Sequence, residues 1–101
     1  DINTKDADGR TALHNAARSR STNIEPFIHD GVDINTRDND GRTPLHDAAR
    51  AGLRDAIRVL LDHGAEINAK NNNGRTPLHN TIRTGRRDTP HDFIIRGADI
   101  N

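Results

Sequence analysis

Six histidines, fifteen arginines and lysines and fifteen aspartates and glutamates are the residues of this 101-residue chain that could do chemistry. Histidine ligates metals through a ring nitrogen, and His14, His46 and His79 recur at intervals of 32 and 33 residues. Zinc needs each nitrogen within ~2.0–2.1 Å, whereas packed helices lie ~8–10 Å apart, so one histidine per recurring unit cannot close on one ion. His29, His63 and His91 show no zinc-ligand spacing. Asp6-Ala7-Asp8-Gly9 and Asp38-Asn39-Asp40-Gly41 look like the middle of a calcium loop. In that register the twelfth position is Asn15 or Asp47 instead of the required glutamate, which excludes calcium. Covalent catalysis needs a nucleophile beside an activating base. Ser19 and Ser21, the only serines, lack a Gly-x-Ser-x-Gly setting, and there is no cysteine. Phosphate-cradling and dinucleotide glycine motifs are also missing. These observations lead us to expect neither an enzyme nor a cofactor or metal.

The arginines are more informative. Arg10, Arg42 and Arg75 each follow a glycine, and Arg18, Arg50 and Arg83 stand eight residues further on. A guanidinium is a planar fork of five donors, suited to carboxylates and phosphates. Asp8, Asp40 and Asp47 are close enough in sequence to neutralise part of this set.

What must position these side chains is an internal repeat. Gly9-Arg10-Thr11-Ala12-Leu13-His14-Asn15-Ala16-Ala17 returns as Gly41-Arg42-Thr43-Pro44-Leu45-His46-Asp47-Ala48-Ala49, then as Gly74-Arg75-Thr76-Pro77-Leu78-His79-Asn80-Thr81-Ile82. Gly31, Gly64 and Gly97 keep the same time, as do Asp33-Ile34-Asn35, Glu66-Ile67-Asn68 and Asp99-Ile100-Asn101. The Asp-Gly and Asn-Gly pairs predict tight turns, because glycine accepts positive φ and Asp or Asn tolerates it. A helix follows each turn: Thr43 can cap it, Pro44 suits its first position, and Gly52 can end it in a left-handed conformation. A second helix is predicted from about Arg54 to His63, with Asp55 in its first turn and Ile57, Leu60 and Leu61 as its buried stripe.

A period near 33 with Thr-Pro-Leu-His resembles the ankyrin repeat. The resemblance spans essentially the whole chain. It implies an all-α repeat solenoid, each unit a β-turn finger followed by two antiparallel helices. The fingers would lie near residues 1–10, 33–42 and 66–75, and the repeats at 1–32, 33–65 and 66–98, with 99–101 opening another. It also implies that the recurring histidine bonds locally to steady the turn, and that fingers and first helices form the concave, partner-binding face. On this chain that face would carry Arg10, Arg18, Asn39, Asp40, Arg42, Arg50, Asn72, Asn73, Arg75 and Arg83. Asn68 resembles the asparagine hydroxylated in some eukaryotic ankyrin proteins; the plainer reading is a turn asparagine bonding the finger backbone.

The outer repeats depart from the middle one. Pro26 falls inside the second helix of the first repeat, where it removes a backbone bond. In the third, Thr81-Ile82 replaces two alanines, and the second helix reads Asp88-Thr89-Pro90-His91-Asp92-Phe93-Ile94-Ile95. That helix suits an end unit with one face in water. The middle repeat should be the most complete, and the second helix of the first the least.

Composition sets the remaining limits. Only 31% of residues are hydrophobic and two are aromatic, a poor basis for one large core but enough for stacked units. No apolar run is of membrane-spanning length and no secretory signal is visible, so an intracellular monomer is expected. The lack of methionine, with Asp-Ile-Asn at both ends, suggests a segment, excised or engineered, of a longer array. Net charge is zero, but residues 66–98 carry six basic and three acidic groups. This asymmetry points to a protein partner with an acidic patch. Zero net charge and two aromatics argue against nucleic acid, whose capture rests on phosphate neutralisation and stacking. The alternative to a binding module is a structural spacer or designed scaffold without its own partner.

Overall fold

The computed structural model describes residues 3–19, 23–29 and 31–83, with side chains up to residue 81. Within them lie four α-helices, α1 Ala12–Ala17, α2 Pro44–Ala51, α3 Arg54–Asp62 and α4 Pro77–Arg83, and a 3₁₀ turn, Glu25–Phe27. No strand occurs among the described residues. The chain is an all-α repeat fold: α2 packs on α1 at one side and α4 at the other, and α3 packs on α2.

Each first helix starts in the way its sequence dictates. Thr11 and Thr43 adopt extended backbone, and their hydroxyls accept from the His14 and His46 N–H groups. Pro44 opens α2 at the first-turn position where its missing N–H costs nothing. At the other end Gly52 takes φ 70°, letting the Leu53 N–H donate back to the Ala48 carbonyl at 3.1 Å. Gly64 ends α3 in the same manner, with the Ala65 N–H on the Leu60 carbonyl at 2.9 Å.

Helices of six to nine residues are too short to persist alone. Burial against neighbours holds them. Leu13, Leu45 and Leu78 are buried in a row, and Ala16, Ala17, Ala48 and Ala49 allow the first helices to approach closely. From α3 the core takes Ala56, Ile57 and Leu60. Leu61 is only half-buried, a correction to the predicted stripe: Ala56, one residue before Ile57, takes the inward position instead. Thr81 stands where α2 has Ala48, fully buried, and its hydroxyl donates to the Leu78 carbonyl at 2.7 Å. That bond within the helix offsets the cost of burying the hydroxyl.

In the first repeat the second helix shrinks to the Glu25–Phe27 3₁₀ turn, with Pro26 in its opening positions. Asn23 Oδ1 accepts the Glu25 N–H at 3.1 Å, and Ile24, 4% exposed, anchors the turn to the core. The middle repeat alone, among the described residues, shows both helices at full length. The second helix expected at 88–95 lies outside the described residues.

Leu60, with no exposed surface, and Leu61, one residue on, separate core packing from helix propensity. Leu60→Ala is expected to cost ~2–5 kcal/mol in urea denaturation. Leu61→Ala should cost clearly less; equal losses would contradict the assignment of the buried face.

Candidate functional site

The finger turns are built by one carboxylate or amide oxygen each. Asp6 Oδ1 accepts the Asp8 and Arg10 N–H groups, both at 2.9 Å. Asp38 Oδ1 accepts those of Asp40 and Arg42, both at 2.9 Å. Asn71 Oδ1 accepts those of Asn73 and Arg75 at 2.9 and 3.0 Å. Donation from the Arg10 N–H holds the exposed Asp6 carboxyl below its ordinary range. The three turns are therefore structurally equivalent.

Neighbouring fingers are tied by their backbones. The Asn39 N–H donates to the Asp8 carbonyl at 2.9 Å and its Nδ2 to the Ala7 carbonyl at 3.1 Å. Asn72 repeats this on Asp40 and Asn39 at 2.9 and 3.0 Å. Gly41, at φ 78°, sits beneath Asn72, and a Cβ there would lie 2.5 Å from Asn72 Oδ1. Lys5 Nζ reaches the Arg37 carbonyl at 2.9 Å, and Arg37 Nη1 the Lys70 carbonyl at 2.6 Å. Asn35 Oδ1 accepts the Glu66 N–H at 2.8 Å while its Nδ2 donates to the Gly64 carbonyl at 3.3 Å.

The recurring histidine couples units as well as steadying its own turn. The Thr43 N–H can only donate, so His46 Nδ1, 3.1 Å away, is the acceptor. Nε2 then carries the hydrogen and donates to the Arg75 carbonyl of the next unit at 2.9 Å. His14 does the same with Thr11 and the Arg42 carbonyl, at 3.1 and 2.8 Å. Both nitrogens being engaged, these rings hold no free lone pair for a metal. Burial lowers the pKa of His46; the Arg37 and Arg42 charges add to this, and the bond to Arg75 opposes it.

The basic set divides. Arg10 is drawn inward, its side chain 10% exposed, with Nη1 donating to Asp38 Oδ2 at 2.8 Å and Nη2 to Asp47 Oδ2. Burial pushes the Asp47 carboxyl up from its ordinary value, and the Arg10 charge pulls it back. Arg18, Arg50 and Arg75 are exposed, and their side chains make no bond or ion pair with any described residue. Arg42 lies between, its side chain 32% exposed, facing Asp40 at 3.9 Å. Asn39, Asp40, Asn72 and Asn73 are exposed on the finger tips, although Asn39 and Asn72 spend their amides on the finger ladder. Arg83 ends α4, and its side chain lies outside the described residues. Asp38, which sequence reasoning weighed only as part of a calcium loop, is the residue that joins Arg10 to the next finger. Asp38 opens the finger of the next unit, as Asp6 opens the first, and that equivalence was the available signal.

A family model, ankyrin repeats in three copies, matches residues 1–71 and 24–101. The chain belongs to the ankyrin-repeat family. Ankyrin repeats are generally protein–protein interaction modules and typically not enzymes. No curated protein matches the chain. Among the described residues of this ankyrin stack, no helix is long and apolar enough to cross a membrane.

The histidine geometry gives a pH dependence. A folded-state pKa below the unfolded value of about 6.5 means that the unfolded chain binds the extra proton. Stability is then full above pH ~6.5 and falls as the pH drops through that value towards the folded pKa. Asp47, raised by burial, works in the opposite sense and offsets part of the loss. Urea midpoints should hold steady from pH 8 to 7 and decline towards pH 5. A midpoint unchanged over the whole range would contradict a neutral bridging histidine.

Proposed function

We propose that this chain is a binding module whose concave finger and first-helix surface takes a partner protein bearing an acidic patch. The single observation that carries this reading is the uneven satisfaction of its arginines. Arg10 is consumed by Asp38 and Asp47, whereas Arg18, Arg50 and Arg75 stand exposed without an internal partner among the described residues, and Arg42 has only a 3.9 Å neighbour. Guanidinium groups spaced by the repeat match carboxylates spaced along another protein's surface. The stack supplies rigid spacing, and the side chains on it supply recognition. The repeats run 1–32, 33–65 and 66–98 on this reading, with Arg83 completing the second arginine row at the end of α4. The cysteine-free composition fits a reducing, intracellular setting.

Arg42, Arg50 and Arg75 provide the test, since none of their guanidinium groups takes part in a bond between repeats. Replacing all three by glutamate should weaken capture of a partner isolated with the unaltered protein by roughly ten-fold or more, while the urea midpoint stays within error. Unchanged affinity would exclude this face.

A further inference from the structure

The stack is polar, and each unit sends donors forward into the next finger. Lys5 Nζ reaches the Arg37 carbonyl, and Arg37 Nη1 the Lys70 carbonyl. His14 and His46 Nε2 reach the Arg42 and Arg75 carbonyls. The first joint adds Arg10 on the Asp38 carboxylate at 2.8 Å. The third unit presents the equivalents of all three donors. Lys70 and Arg75 are exposed, and their side chains bond to no described residue. His79 Nδ1 accepts the Thr76 N–H at 3.0 Å, so Nε2 carries the hydrogen, and no described group accepts it. The third finger has the same open edge. Gly9 and Gly41 are buried beneath Asn39 and Asn72, whereas Gly74 is exposed and a Cβ there would meet nothing within 4 Å.

The first finger carries the matching acceptors. Asp6 spends Oδ1 on its own turn and keeps Oδ2 exposed, as the counterpart of the Asp38 oxygen that takes Arg10. The Lys5 and Arg10 carbonyls correspond to those of Arg37 and Arg42. The Ala7 N–H corresponds to that of Asn39, which donates to the Asp8 carbonyl of the finger before it. Charge follows the same direction: residues 66–98 carry six basic and three acidic groups, residues 1–32 four and five.

We infer that the open edge of the third finger receives the first finger of a second copy of this chain, head to tail. Arg75 pairs with Asp6 of the second copy. Lys70 and His79 donate to its Lys5 and Arg10 carbonyls, and its Ala7 N–H donates to the Asn73 carbonyl. A contact between two different surfaces leaves one of each unused, so it propagates into a row. Ala7 keeps the joint weak: both joints within the chain add an asparagine amide at this position, and alanine has none. The chain is therefore a monomer when dilute. The joint lies at the ends of the stack, and of the proposed partner-binding arginines it uses Arg75 alone.

Sedimentation velocity over about a hundred-fold range of concentration should show a weight-average coefficient that climbs without levelling at a dimer. Ala7→Asn supplies the missing amide and should tighten association roughly ten-fold. Asp6→Asn keeps an oxygen for the turn, as Asn71 does, and Arg75→Glu alters a side chain without a described bond. Each should weaken association roughly ten-fold, with the urea midpoint within error. Mixing these two variants joins intact Arg75 to intact Asp6, and should restore a species that stops at a dimer. Asp55→Asn makes the same charge change on the exposed side of α3 and should leave association within about two-fold. A coefficient independent of concentration even in Ala7→Asn would overturn the joint. So would levelling at a dimer in the unaltered protein, an equal loss in Asp55→Asn, or no recovery on mixing.

Discussion

A neutral imidazole holding two groups at once is the interaction on which this structure depends. On one side it accepts from the threonine that caps its own helix; on the other it donates to a carbonyl of the following unit. The same ring therefore fixes where a helix begins and how far the next unit sits from it. The row of Leu13, Leu45 and Leu78 and the close approach of the alanines follow from that spacing. Short helices that could not persist alone are stabilised by a neighbour set in register by hydrogen bonds.

Much of this arrangement was legible in the residues. The threonine caps, the proline at the start of α2 and the glycines that end α2 and α3 are local signals, set by backbone conformations that only a few residue types accept. The period itself revealed the repeat. Less visible was what each side chain reaches. The acceptor of His46 is the Arg75 carbonyl, and a main-chain atom leaves no mark in a sequence. The inward position of Ala56 over Leu61 depends on the rotation of α3 against α2, which one turn of pattern does not determine. Pro26 was readable as a disturbance, but not as the start of a single 3₁₀ turn.

The candidate face was proposed from residue type, and residue type says nothing of how exposed each of its arginines is. All of its arginines look alike in sequence, because each follows the same glycine or lies at the same helical position. Only the folded chain shows that Arg10 is enclosed by carboxylates from two elements of the next unit, and that Arg42, with Asn71 and Asn80 at the equivalent positions, is more exposed. A one-atom difference, oxygen for nitrogen, reverses the hydrogen-bonding sense of a side chain while keeping its shape. Turn geometry survives the exchange, since only the retained oxygen holds the turn. Charge at the interface between repeats can thus vary without disturbing the finger.

Apart from the pairs made by Arg10, the polar links described between units have a main-chain atom on at least one side: the carbonyls of Ala7, Arg37, Asn39, Arg42, Lys70 and Arg75 among them. Through these links a unit reads the shape of its neighbour's backbone, while its leucines and alanines meet the neighbour's in the core. Joints of this kind are interchangeable. The bonds that set the spacing of the fingers recur from one junction to the next, whatever charges the surrounding side chains carry.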